Sequence, residues 1–226
     1  IGVQLGTTGD IYAQDIEGAT VEQFNKFNDA VLALKQGKVD AVIIDNEPGK
    51  VFVEQNPDIT MLDEDFAVED YAIALNKGSE MTEKFNEAIA AIKENGTLDA
   101  ILDKYINGVE GAEGYVTPEG TEYPNGTLTM ATNAYFPPYE YYEGDEIVGI
   151  DAEFAKAICD YLGYELVIED MAFDSIIPAI TSGKADFGAA GMTVTEDRGL
   201  PRQLLHRHPV RSGAEIRAGN QRGFGV

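Results

Sequence analysis

The chain has 226 residues, a net charge of −24 and a single cysteine. That length accommodates one large domain or two lobes of roughly 100 residues each. The charge excludes nucleic acid and anionic membranes as partners, no run of about 18 apolar residues offers a membrane span, and one cysteine excludes an internal disulfide.

The opening, IGVQLGTTGD, has no basic n-region and no Met, so it reads as a mid-domain strand and the chain as a fragment or a processed piece. A strand is predicted at Gly2–Leu5. The turn GTTGD follows, and its N–H groups and the Thr7 and Thr8 hydroxyls suit an anion. No Gly-Lys-Ser/Thr closes it as a Walker motif, and a plain capping turn would read the same way. Val21, Phe24, Phe27, Val31 and Leu34 recur at spacings of three and four, which predicts a helix with one apolar face. A buried strand, Val39–Ile44, ends at Asp45. A carboxylate there either caps the next turn or pairs with a ligand ammonium.

Further along, a strand is expected at Tyr71–Asn76. Phe85, Ile89 and Ile92, then Leu98, Ile101, Leu102 and Tyr105, predict two helices broken at Asn95 and Gly96. Residues 107–126, NGVEGAEGYVTPEGTEYPNG, have no periodicity and read as a flexible acidic linker. The strand Thr127–Thr132 leads into NAYFPPY, Asn133 to Tyr139, where two prolines hold aromatics preset for stacking. Phe154, Ile158 and Leu162 predict a helix that ends at Gly163 and carries Cys159 on its apolar face as an inert thiol. After the strand Glu165–Glu169, Ser175 is a candidate cap for a helix with Pro178 at its third position. A last strand, Ala185–Ala190, runs into GAAGMTVTEDR. Arg198 ends that segment and is the sole arginine of the first 198 residues. A guanidinium offers a planar fork that fits a carboxylate at two points, which lysine cannot do.

Two stretches repeat loosely. ALKQGKVDAVIID, Ala33 to Asp45, and AITSGKADFGAAG, Ala179 to Gly191, both read as helix end, Gly-Lys, Asp and buried strand. Gly37 and Gly183 suit the left-handed position after a helix. Continuous apolar strands imply burial on both faces, as in parallel sheets, so two similar α/β lobes are expected. The tail departs from this pattern. Residues 199–226 hold five Arg, two His, one Glu and no Lys, whereas the first 198 set 11 cations against 39 acids. Either the tail is a basic arm, or the reading frame was lost after Arg198; the abrupt change of usage favours the second. The expected division is therefore 1–106, a linker over 107–126, 127–198, and an atypical tail over 199–226.

Ligands bind beyond the carboxyl ends of strands in open α/β sheets. Arg198 with the Thr7–Thr8 amides could hold a carboxylate. Asp45, Thr193 and the Gly191 carbonyl could hold an ammonium. Phe136, Phe173 and Tyr139 could wall a side chain. Together these groups suit a zwitterion.

The segments MATNAYFPPYEY, VGIDAEFAKAICDYLG, MAFDSIIPAITSGKADFGAAGMTVTEDR and IGVQLGTTGD resemble extracellular solute-binding proteins for polar amino acids, the ligand-capturing components of ABC importers. The resemblance covers most of Ile1–Ile106 and Gly126–Arg198. It implies a periplasmic-binding-protein-like fold of type II, with two α/β sandwich lobes of mostly parallel sheets and the ligand in a cleft between them. It implies ligand contacts from Thr7, Thr8, Asp45, Asn133, Phe136, Tyr139, Phe173, Gly191, Met192, Thr193 and Arg198. It also implies an ABC permease as partner, a monomer, an extracellular or periplasmic location at the cell surface, and neither catalysis, cofactor nor metal. Asn133 stands where many members have Asp, which argues against a cationic ligand. The lobe order is reversed, since the lobe resembling Gly126–Arg198 comes first in the family. The chain is thus a permutant or joins the end of one tandem domain to the start of the next, and the Arg-rich tail leaves the first-lobe sheet incomplete. A receptor's sensory domain and a non-binding fragment remain alternative readings. A dehydratase on this fold would need a general acid in the cleft, and neither lobe has a His.

Overall fold

The computed structural model of the chain describes residues 1–62, 67–195, 205–212 and 214–218, with residue 68 and the last two stretches as backbone. The described chain divides into two units, Ile1–Glu69 with Pro209–Val226, and Asp70–His208.

The first unit is built on short apolar strands and amphipathic helices. Its elements are β1 (Gly2–Gln4), α1 (Thr8–Gln14), β2 (Glu22–Phe24), α2 (Phe27–Lys35), β3 (Ala41–Ile44), α3 (Asn46–Gln55) and β4 (Ile59–Met61). Val3, Val42, Ile43 and Ile44 are all buried, the mark of strands covered on both faces. The helix predicted from Val21 starts only at Phe27. Glu22–Phe24 forms β2 instead, in parallel register with Gly2–Gln4. The backbone bonds Glu22 N to Ile1 O and Leu5 N to Phe24 O, both 2.8 Å, fix that edge. Lys26, extended at φ −138° and ψ 144°, separates strand from helix. An apolar spacing that suits a helix was thus overridden by pairing with β1.

The first unit also takes a strand from the tail. The sheet order is β2-β1-β3-β14-β4, where β14 is Ala214–Ala218 and runs antiparallel to both β3 and β4. Part of the atypical tail thus lies inside the first unit's sheet. A ladder is made by backbone groups, and five residues with no apolar period can still complete it. Upstream, β13 (Leu205–Ser212) pairs with β5 (Ala67–Ala72) in a two-stranded sheet. The chain passes between the units within these two strands, at Glu69–Asp70 and at His208–Pro209. The expected connection through residues 107–126 is therefore not the connection observed.

The second unit contains β6 (Ala74–Leu75), α4 (Met81–Glu94), α5 (Thr97–Tyr105), β7 (Thr127–Thr132), β8 (Tyr135–Phe136), β9 (Glu140–Glu143), β10 (Glu146–Val148), α6 (Ile150–Leu162), β11 (Glu165–Asp170), α7 (Ile176–Thr181) and β12 (Phe187–Gly188). Its main sheet has the order β11-β7-β12-β6. β11 and β12 are parallel to β7, and β6 is antiparallel to β12. A small antiparallel sheet, β10-β9-β8, lies beside it in sequence. Residues 70–106, grouped by sequence with the first lobe, belong here. The reason is packing: α4 and α5 bury their apolar faces on α6, and Phe85 meets Phe187 edge-on with ring centroids 5.1 Å apart. Ala74, Ala131, Phe173, Ile176, Ile180 and Met192 share one core cluster.

The two main sheets share a plan. In each, a parallel core of three strands is followed by one antiparallel strand, β14 in the first unit and β6 in the second.

Residues 107–126 are irregular, as their composition predicts. They are not loose. Tyr115 OH, Thr117 Oγ1 and Tyr123 OH donate to the Asp160 carboxylate at 2.9, 2.6 and 3.2 Å. Tyr115 N donates to Glu153 Oε2 at 2.7 Å. The segment is strapped along α6. Gly163 ends that helix in the left-handed region, φ 71°, and Cys159 is buried, with its thiol pushed up to about 12 by desolvation.

Candidate functional site

Each unit carries its own group of candidate residues. In the first unit, the chain leaves β1 and turns into α1 through Gly6 and Thr7. Thr7 is the N-cap: its Oγ1 accepts from Asp10 N at 3.2 Å and donates to Gln4 O at 2.8 Å. Gly6 N donates to Asp10 Oδ2 at 3.1 Å, and Gln23 Nε2 holds the same carboxylate at 2.8 Å. The turn is thus closed on its own side chains. Thr8 Oγ1 donates to Glu69 Oε2 at 2.8 Å, and Tyr12 OH donates to Glu69 Oε1. Both predicted threonine hydroxyls therefore have protein acceptors. Thr7, Thr8, Tyr12, Phe27 and Asp45 line a small hollow at this end of the sheet.

Asp45 stands at the N-cap of α3 with φ −67° and ψ 151°, yet its side chain makes no capping hydrogen bond. Glu69 was not singled out from the sequence. It is one acid in an acidic run, and only folding shows it buried against Thr8 and Tyr12.

In the second unit the candidates gather around the end of β12. Gly191 has φ 54°. A Cβ there would stand 2.7 Å from Phe136 Cε1 and 3.2 Å from Tyr71 Cε2. The backbone conformation and the space both require glycine. Phe136 and Tyr139 stack with centroids 5.6 Å apart, and Tyr71 meets Tyr139 edge-on at 5.1 Å. Tyr71 also forms a backbone bridge with Thr193. Phe136, Tyr139 and Phe173 are all buried.

Three placements differ from the sequence reading. Met192 is fully buried in the core cluster, and its carbonyl accepts from Ala72 N at 2.8 Å, so it packs the loop from below. Asn133 donates through Nδ2 to Met171 O at 2.8 Å and so ties the end of β7 to the end of β11. Ser175 makes no side-chain cap; a short 3₁₀ turn, Phe173–Ser175, starts α7 instead. Arg198 lies outside the described residues. Asp151 and Glu140, both buried, were not singled out from the sequence. Gly191 N donates to Asp151 Oδ2 at 2.8 Å, and burial raises the Asp151 carboxyl from 3.8 to about 6.

Comparison with known proteins finds matches over part of the chain. Residues 128–216 match the family model for bacterial extracellular solute-binding proteins, family 3. The chain is 46% identical over 79 residues to the arginine-binding extracellular protein ArtP of Bacillus subtilis, covering 35% of this chain and 31% of that protein. It is 37% identical over 108 residues to a probable histidine-binding protein of Campylobacter jejuni, covering 46% and 42%. A solved ancestral arginine-binding protein bound to arginine is 46% identical over 32% of each chain, with a TM-score of 0.31. The chain thus spans about a third to two fifths of the length of these curated relatives. The matched span extends past Arg198 to residue 216, into the Arg-rich tail.

Proposed function

We propose that the chain binds a free polar amino acid, and that its parent protein hands this ligand to the permease of an ABC importer. In this reading Phe136, Tyr139 and Phe173 wall the ligand side chain. Asp45, Thr193 and the Gly191 carbonyl take its ammonium group, and Arg198 with the Thr7–Thr8 amides takes its carboxylate. The protein acts as a monomer outside the cytoplasm, extracellular or periplasmic, and catalyses no reaction.

The observation that supports this reading best is the glycine-requiring approach of Gly191 to Phe136, both within the span that matches the family. An aromatic wall beside backbone carbonyl and amide groups suits an amino acid. Relatives named for arginine, histidine and L-cystine bind polar members of that class. The neutral Asn133 keeps the proposal at polar amino acids and does not extend it to cationic ones.

Differential scanning fluorimetry with each of the twenty free amino acids tests this. A ligand that binds only the folded chain raises its melting temperature in proportion to RT ln(1 + [L]/Kd). One or a few polar amino acids should raise it in a concentration-dependent way. No shift with any of them would overturn the proposal in favour of a non-binding fragment.

A further inference from the structure

Three segments that carry candidate ligand groups converge on one buried carboxylate. Asp151 sits in the first turn of α6 and is 7% exposed. Its Oδ2 accepts from Gly191 N at 2.8 Å, with both groups buried. Its own amide donates to Tyr139 O at 2.9 Å, and the neighbouring Ile150 N donates to Pro138 O at 3.1 Å. Gly149, at φ 123°, brings the chain so close that a Cβ would collide with the Tyr139 carbonyl. From β9, Glu140 is 1% exposed. Glu140 is also the register partner of Phe136 in the β8–β9 pair. The loop of Gly191, the stack of Phe136 and Tyr139, and the start of α6 therefore share one anchor.

The Asp151 oxygen accepts from the Gly191 amide, and the helix N-terminus favours a negative charge at this position.

We infer that Asp151 is a positioning residue for the ligand loop: held by its own amide on Tyr139 O, it fixes the Gly191 amide and with it the placement of Gly191–Thr193 against Phe136 and Tyr139. The inference rests on the amino-acid-binding reading above. Other charged groups on the elements packed around α6 are engaged elsewhere or face solvent. Lys104 and Tyr105 of α5 contact Glu153 at 2.5 and 2.6 Å. On β11, Asp170 accepts from Ala134 N at 3.0 Å and from Tyr142 OH, and Glu169 pairs with Lys184 at 3.6 Å. Glu83, Lys84 and Glu87 of α4, Glu143 of β9 and Glu146 of β10 are exposed. Because burial sets the Asp151 carboxyl near 6, protonation of the anchor falls in an accessible range.

The full chain permits two readouts. In the first, the Gly191 amide resonance is followed by NMR from pH 4 to 8. It should shift with a midpoint near 6 in the wild type and stay flat in Asp151→Asn. In the second, calorimetric titration with L-arginine, L-histidine and L-glutamine compares variants that retain their fold. Asp151→Ala should lose about tenfold or more in affinity, and Asp151→Asn, whose carbonyl still accepts from Gly191, should return to within about threefold. An Asp151→Ala chain that melts lower but binds as the wild type does would overturn the inference, as would a flat wild-type amide profile. If none of the twenty free amino acids binds the wild type, the functional reading fails, and the amide titration alone decides whether Asp151 anchors the loop.

Discussion

Gly191 shows how much a single position can require. Its φ of 54° disfavours any side chain, and the Phe136 ring leaves no room for one. Gly191→Ala should destabilise the second unit by about 1–3 kcal/mol, through strain and overpacking together. A melting temperature unchanged from the wild type would show that the loop has freedom the geometry denies. Asp151 makes a different demand, on pH. The unfolded carboxyl titrates at 3.8 and the folded one at about 6. Between these values the folded chain holds the extra proton, so this group's contribution is full below 3.8 and is lost as pH rises through about 6. Asp151→Asn should remove that loss and melt above the wild type at pH 7, by at most about 3 kcal/mol of stability. A variant less stable than the wild type at pH 7 would contradict the sign. These residues also divide what sequence can reveal. Gly191, Phe136 and Tyr139 stand out because glycine, aromatic and proline types are scarce and positional. Asp151, Glu140 and Glu69 do not stand out among 40 acids, because a buried carboxylate is marked by its partners and not by its type.

The elements follow the same division. Helices α4, α5 and α6 were legible because their apolar faces have one period and their ends have glycine. β2 was hidden by residues whose spacing also fits the helix that follows. β14 was hidden because nothing in AEIRA announces a strand placed between β3 and β4. Its register, Ala214 to Ile44 on one side and Ala218 to Ile59 on the other, comes from the sheet and not from the segment. A chain ending at residue 204 leaves the facing edges of β3 and β4 unpaired. It should lose more than about 5 °C in melting temperature for the first unit, since 1 kcal/mol moves a domain of this size by about 4–8 °C. A loss of less than a degree or two would return the tail to the accessory role its composition suggests.

At the scale of the whole molecule, the repeat ALKQGKVDAVIID and AITSGKADFGAAG already implied two lobes of one plan, and the shared strand order bears this out. The boundary between them was not legible. The return of residues 70–106 to the second unit depends on α4 and α5 finding α6, a long-range match that no local window contains. The functional claim also operates at this scale, because its proposed groups come from both units. Calorimetric titration of the full chain with the amino acid that most raises its melting temperature tests it most directly, with Asp45→Ala and Phe136→Ala alongside. The account predicts saturable binding of one ligand per chain, with each variant folded and at least about tenfold weaker, as expected when a charged or aromatic contact is removed. No saturable binding, or binding that neither substitution weakens, would contradict it.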